Sequence, residues 1–274
     1  MGGSTVHEAA LEGVSETTLW TLRNRAVEAA RPAPVLHDPW AVRLYLRIPY
    51  DYDKFGRPSQ AHSLRALAVD RALTHYLREH PRATVVSLGE GLQTGFQRLP
   101  EPRPTWLSVD LPPVIALRER LLPDDPRVVH LPLSALDRAW MDRVDPADGV
   151  FVIAEGLFMY LDEGQVVDLI ADCARRFPGG RMIFDSIPPW FRDRTLRGMR
   201  LSDRYTAPPM PFSLTVPQAL ALPDHIPGLA RARDVALPPG RGAVWGNPLF
   251  LGLMDTRPLR DHRPCITLLD FARP

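Results

Sequence analysis

The chain has 274 residues, with 33 Lys and Arg against 32 Asp and Glu for a formal net charge of +1, and it is 45% hydrophobic and 24% charged. Charges balanced this evenly exclude a global field that would draw the protein to nucleic acid or to an acidic membrane surface. The composition is that of a globular protein with enough apolar residues for one large core or two small ones.

Residues 1–12 are small and polar and read as a flexible N-terminus. From Ser15 and Glu16 an apolar period of Leu19, Leu22, Ala26 and Ala29 predicts a helix that Pro32 and Pro34 end. It carries Arg23 and Arg25, which suit either a solvated face or the holding of an anionic group. Asp38 and Pro39 are placed as N-cap and first residue of a second helix through Ala41, Leu44 and Tyr45. Residues 50–59 are aromatic and polar without a period, as in a loop able to face a ligand. Leu64, Leu67, Ala68, Ala72 and Leu77 form an amphipathic helix with Arg65 near its start, and residues 13–80 together read as a helical cap.

Residues 83–99 are the stretch around which the other elements are organised. The β-branched run 84–88 breaks onto Gly89-Glu90-Gly91, and Leu92, Phe96 and Leu99 then resume at helical spacing. This predicts strand, tight turn and helix, with the glycines allowing positive φ and the free N–H groups of the new helix pointing at a ligand. Strand 105–109 ending in Asp110, helix 114–122, strand 127–131, a helix from Ser134 or Asp137 to Arg143, strand 149–154, helix 163–177 and strand 181–185 continue the alternation. The expected fold is α/β, a mostly parallel sheet with ligands at the carboxyl ends of its strands and a cofactor-binding core over 83–187. The segment 149–154 is apolar throughout, as suits a strand buried on both faces. Residues 188–247 are rich in Pro and Arg and read as an insertion forming a lid, with a short helix over 216–222. The apolar runs 249–254 and 265–271 are expected to be a hairpin of closing strands, the last antiparallel.

Cys173 and Cys265 lack metal-type spacing and read as buried apolar side chains in a reducing compartment, so no metal is expected. With no leader, no myristoylation signal and no run of membrane-spanning length, a cytoplasmic location is expected, without a membrane or nucleic-acid partner.

A glycine turn after a first strand serves a dinucleotide or S-adenosylmethionine. The pyrophosphate fingerprint wants Gly or Ala where this chain has Thr94, and Glu90 would face the pyrophosphate's charge, whereas a cationic amine and sulfonium would accept it. Asp110 can accept hydrogen bonds from ribose hydroxyls or serve merely as a helix cap. Ser134 and Ala135 follow the third strand, where adenine would lie. Glu155 and Gly156 follow the fourth, and an acidic group beside Phe158, Met159 and Tyr160 needs a cationic or hydrogen-bonding partner.

Val14-Ser15-Glu16-Thr17, Asp38-Pro39, Leu88-Gly89-Glu90-Gly91-Leu92-Gln93-Thr94, Ser108-Val109-Asp110-Leu111-Pro112 and Ala154-Glu155-Gly156-Leu157-Phe158-Met159-Tyr160-Leu161 together resemble the leucine carboxyl methyltransferase family. The resemblance is to its bacterial branch of enzymes similar to the tetracenomycin polyketide O-methyltransferases. It implies a Rossmann-like class I fold using S-adenosylmethionine. By position it assigns Gly89 to the methionine end, Asp110 to the ribose, Ser134 and Ala135 to adenine, Arg65 to the cofactor carboxylate and Glu155 to its amino end, and it places Glu90, Gly91 and Leu111 at the cofactor as well. Arg23 or Arg25 stands where the family has another basic residue. Many members read Asp-Thr-Arg where this chain has Gln93-Thr94-Gly95, a paired loss of charge.

The expected function is O-methylation of a carboxyl or phenolic oxygen on a small molecule, such as a polyketide-like secondary metabolite. Tyr50, Tyr52, Tyr160, Tyr205 and Phe212 are candidate walls for the acceptor, with Arg23 beside them. The alternatives are methylation of a protein's terminal carboxylate, a non-catalytic cofactor-binding relative, and a nucleotide-dependent oxidoreductase. His37, His62 and His225 lie in segments that could line the pocket, but none has a spacing that singles it out, so no catalytic base is named.

Overall fold

A computed structural model describes residues 11–273 except 255 and 258. Of the N-terminal stretch expected to be flexible, residues 1–10 lie outside the described residues, and Leu11 is buried against the cap.

The cap begins with α1 (Thr17–Ala29) and α2 (Pro39–Arg47). Asp38 caps α2 as expected, its carboxylate accepting from the Ala41 N–H at 2.9 Å. A single 3₁₀ turn, Tyr52–Phe55, interrupts the expected loop before α3 (Ala61–Glu79). Leu19, Leu22 and Ala26 of α1 meet Ala41 and Leu44 of α2, with Tyr52, Phe55 and Tyr205 closing the cluster.

The core runs β1 (Thr84–Leu88), α4 (Gly95–Arg98), β2 (Thr105–Asp110), α5 (Pro112–Leu121) and β3 (Val128–Pro132). A 3₁₀ turn over Arg138–Arg143 takes the place of the helix expected there, before β4 (Val150–Ala154), α6 (Glu163–Arg176) and β5 (Arg181–Ser186). Helix α4 is one turn long because Pro100 disfavours helical geometry at Leu99, which is extended at φ −67 and ψ 142. Strands β1 and β4 are buried at every residue. Val86 and Val152 face the cluster holding Leu169, Ile170 and Cys173 of α6, while Val85, Phe151 and Ile153 face Val69, Leu73 and Tyr76 of α3. Each such side chain contributes about 1.5–3 kcal/mol by leaving water.

Next come α7 (Pro189–Leu196), the hairpin strands β6 (Arg200–Ser202) and β7 (Tyr205–Thr206), α8 (Val216–Leu220), α9 (Leu222–His225) and β8 (Leu229–Asp234). The chain then forms α10 (Gly242–Trp245), α11 (Pro248–Met254), a 3₁₀ turn and β9 (Cys265–Phe271). The sheet order is β3-β2-β1-β4-β5-β9-β8, parallel through β5, with β9 antiparallel to both neighbours. The last strand is therefore antiparallel as expected, but its hairpin partner is not. The run over 249–254 is helical, and the partner of β9 is β8, inside the span expected to be a lid. A short apolar run does not distinguish strand from helix, and Leu-Ala-Arg-Ala-Arg-Asp is polar enough to hide an edge strand.

Candidate active site

The order reverses between β1 and β4, which opens a crevice at their carboxyl ends. Gly89 and Gly91 turn the chain there with φ of +58 and +57. A Cβ on Gly89 would sit 2.8 Å from Cδ1 of Leu157, and one on Gly91 would overlap the Thr18 hydroxyl. Both positions therefore need glycine for conformation and for space.

Three N–H groups of this turn are held by the protein itself. Gly91 N–H donates to Oδ2 of Asp110 at 2.6 Å, Leu92 N–H to Thr18 Oγ1 at 2.7 Å and Gln93 N–H to the Glu90 carbonyl at 3.1 Å. The Leu111 N–H donates to Oδ1 of Asp110 at 2.7 Å, so the carboxylate is fixed by a donor on each oxygen. Burial pushes the Asp110 carboxyl up, against the pull of those two N–H groups.

Glu90 is paired within the protein. Its carboxylate lies 3.0 Å from Nη2 of Arg118 and accepts from Trp106 Nε1 at 3.1 Å, both charged side chains being sealed from solvent. Burial raises the Glu90 carboxyl, and Arg118 opposes the rise. The charge is neutralised beneath the turn. Arg118 also donates to the carbonyls of Gly91 and Gln93 at 2.8 Å each, bracing the turn from below.

On the other side of the crevice Arg65 stands between two acids. Its Nε donates to Glu155 Oε1 and its Nη1 to Asp185 Oδ2, each at 2.9 Å. The Gly156 N–H donates to Asp185 Oδ1 at 2.6 Å, and Gln93 Nε2 to Glu155 Oε1 at 2.7 Å. Gln93 Oε1 is buried and has no hydrogen-bond partner among the described residues. Burial opposes the charge of Arg65, but Asp185 and Glu155 outweigh it. Glu155 is raised by burial and by Asp185, against Arg65. One cation serves two carboxylates.

Two cavities meet at this cluster. The first, of about 260 Å³, is bordered by Arg65, Gly89, Glu90, Gly91, Asp110, Leu111, Ser134, Ala135 and Glu155, so all nine residues expected at the cofactor lie around one space. The second, of about 330 Å³, shares Thr17, Thr21, Arg65, Gly156 and Tyr160 with the first. Its other walls are mainly apolar, with Trp20, Met159, Ile187, Phe191, Met210 and Trp245 among them.

Of the six residues expected to wall an acceptor, Tyr160 alone borders these cavities. Arg23 donates to the Gly56 carbonyl at 2.5 Å, and the Tyr50 hydroxyl donates to Glu16. Tyr52 is wedged between Tyr45 and Tyr50, Tyr205 sits edge-on to Phe55, and Phe212 is in the main core against Phe158. They fill the cap and the core, the ordinary fate of aromatic side chains. Arg25 is fully buried and touches neither cavity. It pairs with Asp38 at 2.7 Å and donates to the Leu92 carbonyl at 2.6 Å, tying α1 to the glycine turn. Asp185 went unnamed in the sequence, although it follows the fifth strand as Asp110 and Glu155 follow theirs. Trp20 and Met210 carry no local signal, whereas His62, in a segment that could line the pocket, does border the second cavity.

This strand order, with a late antiparallel strand and a crevice floored by a glycine turn, defines a Rossmann-like class I methyltransferase fold. The leucine carboxyl methyltransferase family profile matches residues 18–174. The tetracenomycin polyketide synthesis O-methyltransferase TcmP of Streptomyces glaucescens is 33% identical over 223 residues, covering 80% of this chain and 81% of that protein. The S-adenosyl-L-methionine-dependent methyltransferase dpfgK of Gibberella zeae is 31% identical over 202 residues, covering 65% of this chain and 66% of that protein. A DUF574 family protein of Streptomyces avermitilis superposes with a TM-score of 0.57 at 14% identity, covering 97% of this chain and 100% of that one, a likeness of fold alone. The chain belongs to the leucine carboxyl methyltransferase family and is an S-adenosylmethionine-dependent methyltransferase.

Among the described residues no helix is long and apolar enough to cross a membrane, and no group of three or more His, Cys, Asp or Glu could hold a metal ion.

Proposed function

We propose that the protein methylates an oxygen of a small, largely apolar molecule, carboxyl before phenolic, of the kind found in polyketide-like secondary metabolites. The observation that carries this reading is the charge of the first cavity and what it opens into. Asp110, Glu155 and the adjoining Asp185 outnumber Arg65, and the cavity shares a wall with a second, mostly apolar one. Surplus negative charge suits a cationic cofactor and opposes the pyrophosphate of a dinucleotide.

The residues fit S-adenosylmethionine. Asp110 keeps lone pairs for ribose hydroxyls, Leu111, Ser134 and Ala135 border the place for adenine, and the glycines give the close approach. Glu155 and the unpartnered Gln93 Oε1 suit the ammonium end. Arg65 bears on the carboxylate end through its remaining Nη2, which lies over Gly156. The cofactor supplies a methyl group activated by its sulfonium. The protein's part is to orient the two partners and exclude water, which the apolar walls of the second cavity serve.

A carboxylate acceptor is ionised at neutral pH and needs no base, whereas a phenol with pKa near ~10 would benefit from one. Burial pushes both the Cys265 thiol and the Tyr160 hydroxyl up, and Asp185 is engaged by Arg65 and Gly156. This favours the carboxyl. Calorimetry with S-adenosylhomocysteine and NADH, followed by transfer of labelled methyl to aromatic acids and phenols, tests the reading. Binding of the first alone and methyl ester formation are expected. Failure to bind S-adenosylhomocysteine would overturn it.

A further inference from the structure

The second cavity contains a histidine whose proton position is set by its neighbours. The Ser59 N–H donates to Asn24 Oδ1 at 3.2 Å, which fixes the orientation of that buried amide. Asn24 Nδ2, a donor only, then faces Nδ1 of His62 at 2.7 Å. A donor must meet a lone pair, so Nδ1 is bare and the neutral ring carries its proton on Nε2. Protonating Nδ1 as well would set two donors against each other. The ring packs against Trp20 in a T-shaped contact, with centroids 5.2 Å apart. Nε2 has no protein partner among the described residues, and His62 lines the second cavity.

The charged and titratable groups around the ring oppose a second proton. Arg65 lies on the next turn of α3 and Arg25 on α1, while Asp185, Cys265 and Tyr160 border the same cavity from β5, β9 and the turn after β4. Burial, and then Arg65 and Arg25, push His62 down to about 3. The ring is neutral at any physiological pH.

We propose that His62 binds the methyl acceptor by donating its Nε2–H to an oxygen of that molecule, and that it is not the base of the reaction. The inference rests on the methyltransferase reading and adds a residue that selects the acceptor. A histidine that is neutral and already carries a proton on its remaining nitrogen cannot accept one there. It favours an oxygen that presents a lone pair, such as a carboxylate, held in place for attack.

The test uses the full chain saturated with S-adenosylhomocysteine and 2-naphthoate as an aromatic carboxylate probe. Nitrogen-15 spectra of the histidines should show His62 as the Nε2–H tautomer from pH 5 to pH 8, with the Nε2–H signal moving when naphthoate is added. An Nδ1–H tautomer, titration within that range, or no response to saturating naphthoate would overturn the proposal. His62→Leu should weaken naphthoate about tenfold, as for a lost hydrogen bond to a charged group, while His62→Gln, which keeps a donor, should recover most of the loss. Both variants should bind S-adenosylhomocysteine like the parent. That binding reports separately on the methyltransferase reading and on folding, so unchanged cofactor affinity with unchanged naphthoate affinity in His62→Leu counts against His62 alone.

Discussion

Two buried ionic clusters flank the glycine turn, and they differ in one respect. In the first, Asp38 pairs with Arg25 at 2.7 Å and Arg98 at 2.9 Å, and Arg98 grips Asp70 with two hydrogen bonds of 2.7 and 2.9 Å. Two cations meet two anions. The second cluster, Arg65 with Glu155 and Asp185, is one cation short and borders both cavities. Both clusters are buried and hydrogen-bonded, so burial and pairing do not by themselves mark a functional site. The unbalanced charge beside an open volume does.

The largest effect should come from breaking the balanced cluster. Asp38→Ala leaves Arg25 buried without its carboxylate and removes the cap of α2, and it should cost about 3–5 kcal/mol in urea denaturation. Protein that remains folded should still bind S-adenosylhomocysteine. An unchanged denaturation midpoint would refute the structural role given to this cluster. Asp110→Ala should do the reverse. It should weaken S-adenosylhomocysteine roughly hundredfold by calorimetry, for two hydrogen bonds from ribose to a charged acceptor, with a smaller change in stability. Wild-type affinity in this variant would remove Asp110 from the cofactor site.

The sequence carried the strands and the polar groups that follow them because each apolar run is bracketed by turn residues. That was enough to place Gly89, Asp110 and Glu155 around one crevice. The second cavity was not legible. Trp20, His62, Met210 and Trp245 come from four separate segments and share no local period, so only the folded chain brings them together. Tyr50, Tyr52, Tyr205 and Phe212 misled because an aromatic residue in an aperiodic loop looks the same whether it fills a core or lines a pocket. Hydrogen bonding likewise distinguishes Glu90 from Glu155. Both are acids after a buried strand, yet a long-range arginine, Arg118, neutralises Glu90 from α5.

The departure at Gln93-Thr94-Gly95 also reads differently in three dimensions. Gln93 joins the unbalanced cluster through Glu155, and Thr94 joins the balanced one, its hydroxyl donating to Asp38 at 2.6 Å. A Cβ at Gly95 would stand 3.3 Å from Trp106 and 3.8 Å from Nη2 of Arg98, so a guanidinium already lies beside this position. In this chain an amide stands on one side of Thr94 and Arg98 on the other. Gln93→Ala should weaken S-adenosylhomocysteine about threefold to tenfold, the range for one neutral hydrogen bond, with little effect on the midpoint of unfolding. No change in affinity would show that the unpartnered Oε1 does not meet the cofactor.

The smallest effect separates the clusters by pH. Burial works to raise Asp38, but Arg25, Arg98 and the Thr94 hydroxyl outweigh it and hold the carboxyl below its ordinary value. Its contribution to stability is therefore present above the unfolded-state pKa of about 3.9 and is lost as pH falls below it, through the lower folded value. Glu155 is shifted the other way, its pKa raised by burial and Asp185. As pH falls through that raised value, the unbalanced cluster takes up a proton and loses the negative charge that suits an ammonium group. Affinity for S-adenosylhomocysteine should be level near neutrality and decline as pH falls toward the ordinary carboxylate range, before the contribution of Asp38 to stability is lost. Bound cofactor should hold Glu155 ionised to lower pH, because linkage is reciprocal. Glu155→Gln should bind more weakly at pH 7 and flatten the decline. Calorimetry from pH 5 to pH 8 reads both, and an equally steep decline in Glu155→Gln would assign the proton to another group and leave the unbalanced charge without its part in binding.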